Sequence, residues 1–87
     1  MNKKFFKVAA FYSFTDLLNL PTLQKTFANF LKKEDIKGTV LLAHEGINGT
    51  VAGTNDGIDR FREFLKLNNL YEPQNFKTSS CAEDPFP

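Results

Sequence analysis

The stretch with the richest side-chain chemistry is HEGINGT, residues 44–50, which lies between the apolar runs LLA and VA. His44 could act as a general base or a ligand, and the carboxylate of Glu45 could orient it. Neighbouring residues of a strand point to opposite faces, however, so His44 and Glu45 are not expected to form a hydrogen-bonded dyad. A plain hairpin explains the same residues, because Asn48-Gly49 tolerates positive φ and is a strong turn signal. The hairpin is the favoured interpretation.

Metal and thiol chemistry find little support in the composition. The chain has one histidine and one cysteine, which are far apart in sequence and too few to hold a metal ion. Cys81 lies in a polar segment with no cationic motif beside it, so it is interpreted as an inert thiol. A single cysteine cannot form an intramolecular disulfide, and the first residues fail as a signal peptide because Lys7 interrupts their apolar run. These features predict a reducing, cytoplasmic setting.

Phosphate chemistry would need a glycine-rich loop or an arginine after the first strand. The sequence there is SFTDLLNLP, residues 13–21, which contains neither. The only arginines, Arg60 and Arg62, are predicted to lie solvated on the second helix.

Nucleic-acid binding would depend on local patches, because the net charge is only +1. Exposed aromatic side chains such as Phe5 or Phe11 could stack on bases. Ordinary solvated lysines are the favoured interpretation of the two lysine groups, which comprise Lys3, Lys4, Lys7, Lys32, Lys33 and Lys37.

The first two elements are predicted from hydrophobic period. Residues 5–14 alternate as in a strand: one face carries Phe6, Val8, Ala10, Tyr12 and Phe14, and the other is mixed but still fairly apolar, as expected for a central strand. Apolar residues then recur at helical spacing from Leu20-Pro21 to about Lys33.

The remaining elements complete a β-α-β-β-α-β order. Short strands are predicted at Thr39–Ala43 and Thr50–Ala52, a helix capped by Thr54 or Asn55 runs to about Leu67, and Phe76–Cys81 is a polar edge strand. This order in 87 residues predicts one α+β domain, residues 1–87, with a ferredoxin-like sandwich. Its four-stranded antiparallel sheet would carry two helices on one face.

A resemblance to a known family rests on FYSF at 11–14, KGTVLLA at 37–43 and EGINGTVAG at 45–53. Their order and spacing resemble the N-terminal domain of the rhodanese-containing tRNA uridine hydroxylases, earlier known as uncharacterised rhodanese-related proteins. The agreement continues through Ile58-Asp59, Lys77-x-Ser79 and Pro85-Phe86. It spans nearly the whole chain, and LLAxEGINGTVAG is its most specific part.

The resemblance implies an acylphosphatase-like domain that precedes a rhodanese domain in a longer protein. Enzymes of this kind hydroxylate C5 of the wobble uridine, position 34 of tRNA, with molecular oxygen as co-substrate. The family's catalytic cysteine lies in the rhodanese loop, which no position here matches, and Cys81 does not replace it. The expectation is therefore no catalytic residue, metal or cofactor in this chain. Its expected partners are tRNA and the rhodanese domain, with no membrane.

The predicted functional surface consists of His44, Glu45, Asn48 and Lys77, as candidates for RNA binding or domain docking. One alternative is a stand-alone protein-interaction or dimerisation module that uses its sheet surface. Another is a small acyl-phosphate hydrolase, which has the right topology but lacks the phosphate-binding loop.

Overall fold

The computed structural model describes residues 6–81; for Cys81 it describes the backbone but not the side chain. The predictions made on Lys3, Lys4, Phe5, Pro85 and Phe86 and on the Cys81 thiol lie outside the described part. The elements are β1 (Phe6–Phe14), α1 (Leu20–Lys33), β2 (Lys37–Ala43), β3 (Gly46–Thr54), α2 (Asn55–Leu67), a 3-10 turn (Pro73–Asn75) and β4 (Phe76–Cys81).

The four strands form one antiparallel sheet in the order β2-β3-β1-β4. The predicted ferredoxin-like α+β fold is confirmed, with β1 in the interior of the sheet and β4 at its edge. Both helices pack on the same face of the sheet. Neither helix of residues 6–81 packs on the opposite face, where Tyr12, Phe14 and Leu41 are exposed. This asymmetry positions the site described below.

Local signals set both helices as predicted. Pro21 occupies the first turn of α1. Lys32 and Lys33 lie in its last turn, where their positive charges interact favourably with the negative end of the helix dipole. The Thr54 hydroxyl caps α2 by accepting a hydrogen bond from the Gly57 N–H at 3.0 Å.

Phe61 lies at the centre of the core and is fully buried. Its ring centroid is 5.2 Å from that of Phe11 on β1 and 6.4 Å from that of Phe27 on α1, both in edge-to-face geometry. Phe30 and Phe64 stack at 4.2 Å between the two helices. Aromatic rings therefore join the sheet to both helices, which gives a small domain a dense core.

The hairpin between β2 and β3 differs from the prediction. Ala43 pairs with Gly46, so the turn consists of His44 and Glu45. The predicted turn at Asn48-Gly49 is wrong, because both residues lie inside β3 and the two strands are longer than expected.

The physical reason is the two-residue period of a strand. A two-residue turn at 48–49 would place Ile47 and Val51 on opposite faces of the sheet. In the observed register both side chains point to the helices and are buried, at 3% and 0% exposure. Gly46 permits this register: its φ is +154°, and a Cβ there would collide with the Ser13 carbonyl oxygen on β1.

Candidate functional site

The open face of the sheet carries exposed apolar side chains on the inner strand β1 and on the edge strand β2. Tyr12 is 47% exposed, Phe14 80% and Leu41 58%. The Tyr12 and Phe14 rings meet edge to face, with centroids 5.7 Å apart. Exposed aromatic side chains clustered in this way are typical of a binding surface.

A shallow groove of about 820 Å³ covers this face. Small residues flank the projecting side chains: Phe14 lies opposite Gly46, which in turn lies opposite Ala43, and Ala10 is the neighbour of Tyr12 on the same face of β1. Because these neighbours are small, they leave much of both rings exposed to solvent. We call this surface, lined by Ala10, Tyr12, Phe14, Thr39, Leu41, Ala43, Glu45, Gly46, Asn48, Thr50, Gln74, Asn75 and Lys77 among others, the open-face groove.

Three of the four predicted site residues line the open-face groove: Glu45, Asn48 and Lys77. Asn48 lies directly opposite Tyr12, and Lys77 lies opposite Ala10, one diagonal step from Tyr12. Among residues 6–81, none of these three polar side chains makes a hydrogen bond or an ion pair within the protein. All three residues are exposed.

His44 does not belong to the groove. Its ring Nδ1 lies 3.1 Å from the carbonyl oxygen of Leu17 and donates to it, since a carbonyl can only accept. Two further bonds join the same segments: the Leu17 N–H donates to the His44 carbonyl at 2.9 Å, and the Thr15 N–H donates to the Glu45 carbonyl at 3.0 Å. His44 thus fastens the hairpin turn to the loop after β1.

Sequence reasoning missed Tyr12, Phe14 and Leu41 as members of the site. The strand alternation placed Tyr12 and Phe14 on one face, but it did not show that this face is the open one. The possibility that Phe11 offers a stacking surface is excluded, because Phe11 is 5% exposed and packs against Phe61.

Three cationic side chains near the helices contact other elements of the domain. Lys7 lies 3.5 Å from Asp59, with 21% of its side chain exposed. Arg60 is 57% exposed and bonds Glu34 at 2.7 Å. The prediction that Arg62 is solvated is wrong, since its guanidinium packs 5.2 Å from the Phe76 ring centroid and the side chain is 29% exposed. These pairs join elements of the domain to one another.

The loop between β1 and α1 lines a second, smaller hollow with Asp16 and Asn19. The described residues around it include no Lys, Arg or His. An acyl phosphate bound there would face a carboxylate without a compensating cation, so the hollow does not favour a phosphate.

Within residues 6–81 there is no group of three or more His, Cys, Asp or Glu side chains that could hold a metal ion. Neither helix in this part of the chain is long and apolar enough to cross a membrane.

Comparison with known proteins gives a consistent set of relatives. The family model described as the UPF0176 acylphosphatase-like domain matches residues 6–87. The tRNA uridine(34) hydroxylase of Bartonella quintana is 43% identical over 84 residues, which is 97% of this chain and 28% of that protein. Proteins of the same name from Acinetobacter baylyi and Picosynechococcus are 43% and 39% identical over 91% and 95% of this chain. The chain thus spans only about a quarter of the length of these relatives.

Proposed function

We propose that this chain, which belongs to the UPF0176 acylphosphatase-like domain family, is the accessory N-terminal domain of an enzyme that hydroxylates uridine 34 of tRNA. Its role is to position tRNA for a reaction carried out elsewhere in the parent protein. That reaction uses molecular oxygen as co-substrate and takes place in a rhodanese-type domain. The relatives' names and the short share of their length that this chain spans support this division of labour.

One observation carries the proposal: one face of the sheet is buried under the helices, and the other carries exposed side chains. The helices bury the side chains of one face, whereas the open-face groove keeps exposed rings beside Glu45, Asn48 and Lys77, whose side chains make no hydrogen bond or ion pair within residues 6–81. Such an arrangement can bind and orient a partner. His44, the one candidate general base, instead uses its Nδ1–H to hold the hairpin turn.

The test separates function from stability in the parent enzyme. Asn48→Ala is expected to lower tRNA modification more than it lowers the free energy of unfolding, because Asn48 is exposed and makes no bond within the described protein. Asn29→Ala is the matched control, an exposed asparagine on α1. Lys77→Ala is compared in the same way with Lys25→Ala. Unchanged modification in both groove variants would contradict the proposal.

A second candidate function for the same face is packing against the remainder of the parent protein. The apolar side chains of Tyr12, Phe14 and Leu41 and the small net charge favour it. In that case Leu41→Asp should lower the stability of the parent protein and leave that of the 87-residue chain unchanged. Thermal unfolding of both proteins, with and without the substitution, decides between the two partners.

A further inference from the structure

The Tyr12 and Phe14 rings have the geometry of a stacking platform. Both lie on β1, an inner strand of a four-stranded sheet, and they meet edge to face at 5.7 Å. The helices lie on the opposite side, and the small residues around the rings leave Tyr12 47% and Phe14 80% exposed. Modules that recognise single-stranded RNA on an open four-stranded sheet use aromatic side chains of inner strands in this way.

Polar groups surround the platform where a nucleotide would need them. Asn48 lies directly opposite Tyr12 in the β1–β3 pair, so its side chain is a neighbour of that ring on the same face. Gln74 and Asn75 line the groove on the β4 side. Amide side chains offer both donors and acceptors, which match the mixed hydrogen-bonding edges of bases.

The charges of the groove are complementary to a nucleotide chain. Lys77 is exposed, makes no ion pair within residues 6–81, and lies one diagonal step from Tyr12. A phosphate joined to a base on Tyr12 would therefore lie within reach of a cation. Glu45, at the Phe14 end of the groove, is placed to accept from an amino group of a base rather than to meet a phosphate.

We infer that the open-face groove binds an unpaired segment of tRNA, with bases stacked on Tyr12 and Phe14 and a phosphate at Lys77. The identity of the partner as tRNA rests on the function proposed above. A base inside a duplex keeps both of its faces stacked on neighbouring bases, so the platform selects single-stranded RNA.

The experiment measures binding of a short, unstructured, fluorescein-labelled oligoribonucleotide with the sequence of an anticodon loop to the 87-residue chain. Tyr12→Ala and Phe14→Ala should each weaken binding about five- to 150-fold, the effect of removing one stacked base. Tyr12→Phe keeps an aromatic ring at this position and should bind the oligoribonucleotide as tightly as the unsubstituted 87-residue chain does. Lys77→Ala should lower the slope of log affinity against log salt by about 0.7, the contribution of one phosphate on a single strand.

Matched controls separate stacking from general loss of apolar surface. Leu67→Ala removes an apolar side chain that is 83% exposed, comparable with Phe14, but far from the groove. It should leave binding unchanged. A duplex of the same sequence should compete poorly. The chain has no Trp, so quenching of tyrosine fluorescence on binding, lost in Tyr12→Phe, is a second readout.

The inference is overturned if the chain fails to bind the oligoribonucleotide, if Leu67→Ala and Phe14→Ala weaken binding equally, or if the duplex competes as well as the single strand. Failure of the wider proposal looks different. If Tyr12→Ala abolishes modification by the parent enzyme while the chain binds no RNA, the accessory role stands and the groove packs against the rest of the parent. If the groove variants leave modification unchanged, the accessory role itself fails.

Discussion

The two faces of the sheet differ in burial, although the same strands contribute side chains to both. On β1, Ala9 and Phe11 point to the helices and are 0% and 5% exposed, whereas Tyr12 and Phe14, on alternate positions, are 47% and 80% exposed. Since successive side chains of a strand alternate between faces, moving by one residue changes the environment from core to solvent. The covered face therefore supplies stability, and the open face is free to carry binding side chains whose replacement leaves the core intact.

The largest expected effect compares two phenylalanines. Phe61→Ala removes a fully buried ring that contacts other rings from β1, α1 and α2, and should lower the free energy of unfolding by about 3–5 kcal/mol. Phe14→Ala, on the open face, should change it by no more than about 0.5 kcal/mol. Urea unfolding measures both, and comparable losses would mean that the open face is part of the core.

The next comparison tests the position of the hairpin turn. Gly46→Ala should destabilise the domain by about 2 kcal/mol or more, because it combines a positive φ with a collision against the Ser13 carbonyl. Asn48→Ala should change stability by at most about 0.5 kcal/mol, since Asn48 is an exposed strand residue. Denaturant midpoints of the two variants check this; the reverse order would place the turn at Asn48-Gly49 after all.

A smaller effect is expected from the cap of the helix that covers the inner face. Thr54→Ala removes the hydroxyl that accepts from the Gly57 N–H and should lower stability by about 1 kcal/mol. Thr26→Ala is the control, because the Thr26 hydroxyl is exposed on α1 and bonds only the Thr22 carbonyl within its own helix. Thermal unfolding that shifts equally in both variants would show that the cap adds nothing specific.

The smallest expected effect concerns the ion pair between Arg60 and Glu34. A double-mutant cycle with alanine at both positions should give a coupling of about 0.5–1 kcal/mol, because the Glu34 side chain is only 11% exposed. The pair of Lys66 and Glu63 is more exposed and should couple by no more than about 0.5 kcal/mol, with greater loss in high salt. Equal coupling energies in the two pairs would show that burial of Glu34 does not strengthen its ion pair with Arg60.

Much of the fold was predictable because its signals are local. The Pro21 start of α1 and the Thr54 cap of α2 both depend on residues within a few positions of one another. The hairpin was misplaced because a strong local signal, Asn48-Gly49, competed with a long-range requirement. That requirement is the packing of Ile47 and Val51 against the helices, which a local turn rule cannot include.

The candidate site was predictable in part. Glu45, Asn48 and Lys77 were selected from the sequence and line one groove, although Glu45 lies in the hairpin turn and Lys77 lies on the edge strand β4. His44 was selected for its chemistry, but its ring bonds a carbonyl 27 residues away, a contact that no spacing in the sequence reveals. The role of all four as a functional surface stays a prediction until the variants are measured.

The sequence by itself determined the element order, both helix boundaries and the family, because capping residues, hydrophobic period and the EGINGTVAG segment are readable along the chain. Only the tertiary structure decided which face of β1 is covered, where the hairpin turns and what His44 holds. The reason is physical. Both faces of β1 are apolar enough to be buried, and the choice between them depends on where two helices, distant in sequence, find complementary surface.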